Sequence, residues 1–213
     1  QVLQTQLPEA IVSCYDPEDE EAMQNILEQE CAWADVIVIG PGLGQESYTE
    51  YLLETVLSDA YVPVVLDADG INAVVGHIDV LRGCACPVVL TPHDGEFLRL
   101  GGDPKAADRT QEAMRLANRT HAVLLLKGSR TVITDGLNIY VNHTGNPGLA
   151  TGGSGDVLAG MIVSLLGQHI MPLEAAAAAA WLHGAAADLA AEKLGEYGMV
   201  PEDLLLRIPR LLP

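Results

Sequence analysis

The chain has 213 residues, of which 49% are hydrophobic and 19% charged, and its formal net charge is −18 at pH 7. This composition excludes a disordered chain, and the length predicts one domain, residues 1–213, with a substantial core. The acidic surplus argues against a nucleic-acid partner, because binding to phosphate backbones needs clustered lysine and arginine. No apolar run reaches the roughly 20 residues of a membrane span, and no signal peptide is visible. We therefore expect a cytoplasmic protein with reduced cysteines.

Short apolar runs alternate along the chain with stretches of helical periodicity. The runs predict strands at 36–39, 62–66, 87–90 and 122–126, and the periodic stretches predict helices at 18–33, 47–57, 70–76, 94–100 and 106–119. This alternation is typical of an α/β fold whose mostly parallel sheet carries helices on both faces. Residues 131–134 and 138–141, joined at Asp135-Gly136, predict an antiparallel hairpin at one edge. Only helices follow, at 154–167, 173–192 and 202–207.

Each of the four predicted parallel strands is followed by polar or glycine-rich residues. These segments are Gly-Pro-Gly-Leu-Gly at 40–44, Asp-Ala-Asp at 67–69, Thr-Pro-His at 91–93 and Lys-Gly-Ser-Arg-Thr at 127–131. In open α/β sheets, ligands bind beyond the carboxyl ends of the strands. The sequence therefore predicts a ligand site at this edge of the sheet.

The segment Ala-Thr-Gly-Gly-Ser-Gly-Asp at 150–156 opens directly into an apolar helix. Without Cβ atoms, Gly152, Gly153 and Gly155 allow successive backbone N–H groups to converge on an anion at the positive helix end. Asp156 lies in the first turn of that helix. A carboxylate beside an anion site is suited to act as general base for a hydroxyl group. The alternative is that Asp156 only stabilises the helix dipole.

For two segments, one glycine-rich and one acidic, a purely structural role is an alternative to ligand binding. The 40–44 segment lacks the last glycine of a dinucleotide fingerprint, because Gln45 stands in its place. It predicts either a close approach of backbone to a ligand or a plain tight turn. Asp67 and Asp69 would orient a sugar or amide, hold a magnesium-bound water, or cap the following helix.

Lys127 and His93 are the basic candidates at the same edge. Lys127 is one of three lysines and follows four apolar residues, so its head group emerges at the strand end, to bind phosphate or to form a structural ion pair. His93 is exposed by its position at a strand tip, whereas His183, inside an alanine-rich helix, is expected to be packed. No Walker A motif occurs, and Asp156 stands where Gly-x-Ser-x-Gly needs its last glycine.

Together these segments resemble the ribokinase-like superfamily and, within it, the ADP-dependent NAD(P)H-hydrate dehydratases. The resemblance extends from about residue 33 to the end and rests on the segments at 40–44, 67–69, 91–93 with Glu96, 127–128, 152–156 and 183–188. It implies a ribokinase-like fold and the nucleotide-dependent conversion of NAD(P)H hydrate to NADH or NADPH. The co-substrate would be ADP or ATP with Mg²⁺, to which we assign no protein ligand, and we expect a homo-oligomer.

The resemblance also implies roles for individual residues. Those implied to contact the adenine nucleotide are Lys127, Gly128, Ser129, Arg130, Thr131, Gly152, Gly153, Ser154 and Gly155. Those implied to contact the hydrated substrate are Gly42 or Gly44, His93 and Asp156. Asp156 would take the proton of the 6-hydroxyl group as its oxygen attacks a phosphoryl group, and loss of phosphate would restore the double bond.

The family has some tens of residues, including an early strand, before the point at which this chain starts. We therefore expect part of the site to be missing, disordered or contributed elsewhere. Two alternative functions stay open. One is a kinase of the same superfamily acting on a hydroxymethylpyrimidine, thiazole or pyridoxal-type alcohol, although Thr-Pro-His and Gly-Pro-Gly-Leu-Gly favour the dehydratase. The other is a non-catalytic nucleotide-binding module.

Overall fold

A computed structural model describes residues 2–16 and 18–212 of the chain. Its helices are α1 (Val2–Gln6), α2 (Glu20–Trp33), α3 (Ser47–Asp59), α4 (Ala68–Ala73), α5 (Val80–Gly83), α6 (Asp94–Arg99), α7 (Arg109–Thr120), α8 (Ser154–Gly167), α9 (Pro172–Leu194) and α10 (Pro201–Leu205). Its strands are β1 (Ile37–Ile39), β2 (Val64–Leu66), β3 (Val88–Leu90), β4 (Val123–Leu126), β5 (Val132–Thr134) and β6 (Ile139–Val141). Short 3-10 helices lie at Pro147–Leu149 and Ile208–Arg210.

The six strands form one sheet in the order in which they occur along the chain. Strands β1 to β4 are parallel, and β5 and β6 add antiparallel to β4 as a hairpin. Each strand starts one or two residues later than its apolar run and ends at the expected residue. The prediction of a mostly parallel sheet with an antiparallel edge hairpin is confirmed.

The two faces of the sheet bury separate sets of side chains, because successive strand residues point to opposite sides. On one face, Leu66 and Leu90 pack with the helices that connect the parallel strands. On the other face, Val65 and Val89 pack against α8 and α9. Helices therefore cover both faces of the central strands β2 to β4, as their continuous apolar sequences predict, whereas Val38 of the edge strand β1 is exposed.

Helix boundaries differ from the sequence prediction where a cap or turn intervenes. Helix α7 begins at Arg109 rather than 106, because the Asp108 side chain accepts hydrogen bonds from the N–H groups of Thr110 and Gln111, both at 3.0 Å. Helix α4 begins at Ala68, earlier than predicted, and the periodicity gave no indication of α1 or α5. No helix in the described part of the chain is long and apolar enough to cross a membrane.

The hydrogen-bond ladder continues past the ends of the parallel strands and so aligns the residues that follow them. The backbone N–H groups of Asp67, Thr91 and Lys127 each donate to a carbonyl of the neighbouring strand or its tip, at 3.2, 3.1 and 2.8 Å. Because these three residues are held in register, their side chains meet at one edge of the sheet.

Helix α9 carries the segment that closes this edge from the side. Alanines at 175, 176 and 179 are fully buried and allow α9 to lie close to the sheet. At Gly184 the chain of residues 142–146 comes so close that a Cβ atom would lie 2.6 Å from the carbonyl carbon and oxygen of Thr144. Only glycine fits there without moving that segment.

We therefore expect Gly184→Ala to destabilise the protein by about 1–3 kcal/mol, the usual cost of overpacking, despite the better helix propensity of alanine. The matched control is Gly160→Ala in α8, where an added Cβ meets nothing within 4 Å. The control should be neutral or stabilising by up to about 1 kcal/mol. Urea unfolding of both variants measures the difference, and equal stabilities would show that residues 142–146 do not press on α9.

Candidate anion and nucleotide site

The first turn of α8 presents unpaired backbone donors. Its N-cap is Gly153, with φ at 89°, and no side chain caps the helix. The N–H groups of Ser154 and Val157 donate to backbone carbonyls, whereas those of Gly155 and Asp156 have no acceptor among residues 2–16 and 18–212. Free N–H groups at a helix start favour an anion, since the helix dipole adds positive potential there. We refer to residues 153–156 as the cradle.

Directly beside the cradle lies an ion pair between Asp67 and Lys127. The Lys127 ammonium donates to Oδ1 of Asp67 at 2.8 Å, and its nitrogen is 3.9 Å from Oε2 of Glu96. The hydroxyl of Thr91 also donates to Asp67, at 2.7 Å. The Asp67 side chain is 2% exposed and that of Lys127 23%. A Cβ at Gly155 would lie 3.6 Å from both charged groups, so the pair and the cradle share one pocket.

The Asp67 carboxylate does not cap α4, although Asp67 is the N-cap residue. Of the alternatives left by the sequence, helix capping is therefore wrong for Asp67. Ala68, with φ at 47°, turns the chain sharply after it. Asp69 then points the other way and accepts a hydrogen bond from the N–H of Gly44 at 2.9 Å. The two carboxylates of Asp-Ala-Asp thus serve different loops.

Gly40 packs against the same turn, since a Cβ there would lie 2.6 Å from the nitrogen of Gly70. With φ at 130°, Gly40 also has a backbone conformation that other residues rarely adopt. The 40–44 segment is therefore a turn anchored on Asp69. At Gly42 and at Gly44, an added Cβ atom would meet nothing within 4 Å.

His93 caps α6 with its side chain. Its Nδ1 accepts from the N–H groups of Gly95 and Glu96 at 3.0 and 3.2 Å, and Oε2 of Glu96 accepts from the His93 N–H at 2.8 Å. Nδ1 thus acts as the helix cap, and Nε2 faces Oε1 of Glu96 at 3.4 Å. The His93 side chain is 56% exposed, as its position at a strand tip predicts.

A cavity of about 790 Å³ opens between these elements. Its walls come from the start of α6, the loop after β4, the 142–151 segment, the first turns of α8 and the middle of α9. Lys127 is the one lysine or arginine that lines it within the described residues. A concave site of a few hundred cubic ångströms with one cation and free N–H groups suits a small anionic ligand.

Several residues predicted from the sequence meet in this cavity and others do not. Those that line it are His93, Lys127, Gly128, Ser129, Thr131, Ser154 and Gly155. Those outside its lining are Gly42, Gly44, Arg130, Gly152, Gly153 and Asp156. Asp156 is exposed in the first turn of α8, with no hydrogen bond or ion pair to its carboxylate among the described residues. The carboxylate is thus not turned into the core.

One wall of the cavity, formed by residues 142–146, was not predicted from the sequence. Asn142 donates to the carbonyl of Ala180 at 3.1 Å, and the hydroxyl of Thr144 donates to that of Trp181 at 2.9 Å. Asp188 accepts from the N–H of Gly145 at 2.9 Å and from the amide of Asn146 at 3.0 Å. The Asn-x-Thr-Gly-Asn-Pro-Gly pattern at 142–148 carries turn-forming residues that could have indicated an ordered loop.

Arg109 is a second residue that sequence reasoning passed over. Its guanidinium donates to the Lys127 carbonyl at 2.8 Å and contacts Asp94 at 2.6 Å. A Cβ at Gly128 would lie 3.1 Å from it. Arg109 therefore fixes the loop that begins at Lys127, from outside the cavity lining.

His183 lies behind the cradle and is 7% exposed. Its Nε2 is 3.0 Å from the carbonyl oxygen of Ser154 and 3.3 Å from the Ser154 hydroxyl. Burial lowers the pKa of His183 to about 4, although the bond to the Ser154 carbonyl raises it; the nearby Lys127 charge lowers it further. The expectation of a packed histidine is confirmed.

The fold and the site together define an α/β protein with a candidate anion site, formed by a helix start at the tips of its parallel strands. A solved ribokinase-like superfamily protein from Enterococcus faecalis is similar to it, with a TM-score of 0.78 and 30% identity over 99% of this chain and 72% of that one. The ADP/ATP-dependent NAD(P)H-hydrate dehydratase of Bacillus subtilis, co-crystallised with ATP and Mg²⁺, has a TM-score of 0.79 and 31% identity over 99% of this chain and 73% of that one.

The model of the Carb_kinase family, described as NAD(P)H-hydrate dehydratase, matches residues 1–210, and the chain belongs to that family. The bifunctional NAD(P)H-hydrate repair enzyme Nnr of Moorella thermoacetica is 48% identical over 197 residues, which cover 90% of this chain and 37% of that protein. The chain thus spans about two fifths of the length of the curated relatives it matches.

We expect Lys127→Met to destabilise the protein by about 3 kcal/mol, because it leaves the buried Asp67 carboxylate without its counter-ion. The double variant Asp67→Asn/Lys127→Met should recover most of that loss, since the stranded charge is gone. Lys105→Met, at an exposed lysine, is the control and should cost little. Urea unfolding measures all three. A Lys127→Met variant as stable as the control would contradict the proposed burial of the pair.

The lowered pKa of His183 predicts a pH-dependent contribution to stability. The unfolded chain binds a proton at this side chain near pH 6.5, whereas the folded protein does so only near pH 4. Stability therefore falls as pH drops through this window, by on the order of 3 kcal/mol at pH 4. The comparison is with His183→Gln, whose stability relative to wild type should rise by that amount between pH 7 and pH 4. Parallel unfolding curves across the window would contradict the pKa.

Proposed function

We propose that this chain catalyses the nucleotide-dependent dehydration of (6S)-NAD(P)H hydrate to NAD(P)H, with Asp156 as general base and the cradle as the site of the transferred phosphoryl group. The observation that carries the proposal is the pair of N–H groups at Gly155 and Asp156, which have no acceptor among the described residues. The Lys127 ammonium lies 3.6 Å from the position that a Cβ atom would take at Gly155. An ammonium beside free backbone donors forms an electrostatic site for a phosphoryl oxygen.

The position of Asp156 supports its role as base. Its exposed carboxylate belongs to the same helical turn as the free N–H groups, so a hydroxyl group held near it would also be near a phosphoryl group in the cradle. The adenine nucleotide would extend along the loop 127–131 and the 146–151 wall, which line the cavity. Gly42 or Gly44 and the exposed face of His93 would contact the hydrated substrate.

The proposed reaction balances in two steps. Asp156 takes the proton of the 6-hydroxyl group, and the hydroxyl oxygen bonds to the terminal phosphorus as the bond from that phosphorus to the bridging oxygen breaks. This step leaves AMP from ADP, or ADP from ATP. The ring nitrogen then donates its electron pair as the C6–O bond to phosphate breaks, and loss of a proton from C5 to the released phosphate or to water forms the double bond. Phosphate leaves far more readily than hydroxide, which is the reason for consuming the nucleotide.

Magnesium fits the donor set of this site as a partner of the nucleotide. Asp67 keeps Oδ2 free of any hydrogen-bond partner in the described part of the chain, next to the cradle. No group of three or more His, Cys, Asp or Glu side chains among residues 2–16 and 18–212 could hold a metal ion by itself. Mg²⁺ is commonly held by one or two carboxylates together with substrate phosphates and water. Asp67 would hold it here, and the ion would offset the charge of the phosphates.

The test incubates the chain with enzymatically hydrated NADH, ADP or ATP, and Mg²⁺. We expect the near-ultraviolet absorbance of the dihydronicotinamide to return, with one phosphate released per molecule restored. Phosphorylation of a hydroxymethylpyrimidine, thiazole or pyridoxal-type alcohol without that recovery would favour the kinase. Nucleotide binding with neither reaction would favour a binding module. The ADP or ATP preference follows from the same assay, while a cytoplasmic location and a homo-oligomeric assembly stay predictions.

Asp156→Asn should lower turnover by at least about 100-fold, the lower range for the loss of a general base, and change the Kd for ADP only a few-fold. The matched control is Glu174→Gln, which removes an exposed carboxylate from the first turn of α9 and so reproduces the loss of a favourable dipole interaction. The control should retain wild-type turnover. Comparable turnover in Asp156→Asn and wild type would rule out the role of Asp156 as base.

A further inference from the structure

We propose that His183 is a positioning residue for the phosphoryl site. Its Nε2–H group holds both the carbonyl and the hydroxyl oxygen of Ser154, so that the hydroxyl proton of Ser154 and the free N–H groups of the cradle are directed to the ligand. This inference rests on the proposed function in taking that ligand to be the terminal phosphoryl group of an adenine nucleotide.

The hydrogen bonds define which atoms carry protons. The Ser154 carbonyl can only accept, so the His183 Nε2 that lies 3.0 Å from it must carry the hydrogen. The same Nε2–H faces the Ser154 hydroxyl oxygen at 3.3 Å, which therefore also acts as acceptor. The hydroxyl proton of Ser154 is left without a protein acceptor in the described part of the chain. It is available to an oxygen atom in the cavity that Ser154 lines.

The helix that carries His183 is held by contacts on either side of that residue. One residue further along α9, Gly184 is in contact with Thr144, and Asp188 binds Gly145 and Asn146 one turn later. The alanine-rich face of α9 is packed on the sheet and on α8. Since His183 extends from a fixed helix to the first residue of α8, it determines where the cradle begins. Because no side chain caps α8 at Gly153, the position of the helix start depends on a residue outside the helix.

The charges around His183 keep it in the form that this role requires. The imidazole is buried, and the Lys127 ammonium on the neighbouring strand tip disfavours a second positive charge. Among the elements packed around it, Asp67 and Glu96 belong to the Lys127 cluster and do not bond to His183. The neutral ring therefore acts at neutral pH through geometry and not by proton transfer.

Two substitutions separate positioning from mere packing. His183→Gln can place an amide N–H near the position of Nε2, whereas His183→Leu fills space without a donor. We expect amide hydrogen exchange over residues 153–161, measured by mass spectrometry, to accelerate at least about tenfold in His183→Leu, as loss of a buried hydrogen bond implies. Exchange should stay within about threefold of wild type in His183→Gln. Exchange over α7, on the other face of the sheet, is the internal control.

Ligand binding supplies the second readout. In His183→Leu the affinity for ADP should fall about tenfold while that for adenosine changes less than about twofold, and His183→Gln should restore the ADP affinity. Ser154→Ala should also weaken ADP binding, and adding His183→Leu to it should cost less than His183→Leu costs in the wild-type chain, because the part of the His183 effect that acts through the hydroxyl group is already lost. Ser154→Ala by itself keeps the proposal testable if His183→Leu folds poorly, since an unchanged ADP affinity in Ser154→Ala would contradict the role of the hydroxyl proton.

The outcomes separate this inference from the proposed function. Unchanged exchange over residues 153–161 in His183→Leu would overturn the positioning role. Equal losses of ADP and adenosine affinity would do the same, because they indicate general damage to the cavity. A wild-type chain that binds no ADP would instead contradict the proposed function, and the exchange experiment, which needs no nucleotide, would still decide the role of His183.

Discussion

The ion pair between Asp67 and Lys127 is the constraint on which the site depends. A carboxylate that is 2% exposed is stable only with a partner, and the partner here follows the strand two places along the sheet. The pair joins the tips of β2 and β4 and lies against the helix start that forms the cradle. Because Lys127 already faces Asp67 and Glu96, a phosphate that enters must share this ammonium with two carboxylates. A further cation therefore has a physical reason to accompany it.

The sequence indicated the sheet and the edge at which its polar residues meet, because both follow from local signals. Continuous apolar runs such as 64–66 and 123–126 are typical of strands buried on both faces, and the Asp135-Gly136 turn marks the hairpin. Once four parallel strands are inferred, their carboxyl ends must lie together. The glycine-rich start of α8 could also be predicted from the local sequence, since Gly153 adopts the positive φ that the turn requires.

Contacts between residues that are distant in sequence could not be predicted from such local signals. Lys127 could be placed at a strand end, but the choice of Asp67, 60 residues away, over Asp69 depends on the left-handed turn at Ala68. The wall of residues 142–146 has no regular periodicity and is defined by its bonds to α9. Arg109 sits on a helix surface and acts through the backbone of a loop. Side-chain direction and packing, which periodicity does not report, decided each case.

The central claim is that the terminal phosphoryl group of the nucleotide lies in the cradle, between Lys127 and Asp156. A crystal structure of the chain with ADP and Mg²⁺ tests it most directly. We expect β-phosphate oxygens within hydrogen-bond distance of the Gly155 N–H and of the Lys127 ammonium, with the Asp156 carboxylate on the open side. Phosphates bound instead at the Gly40–Gly44 turn, or an ADP that leaves the α8 start vacant, would contradict it.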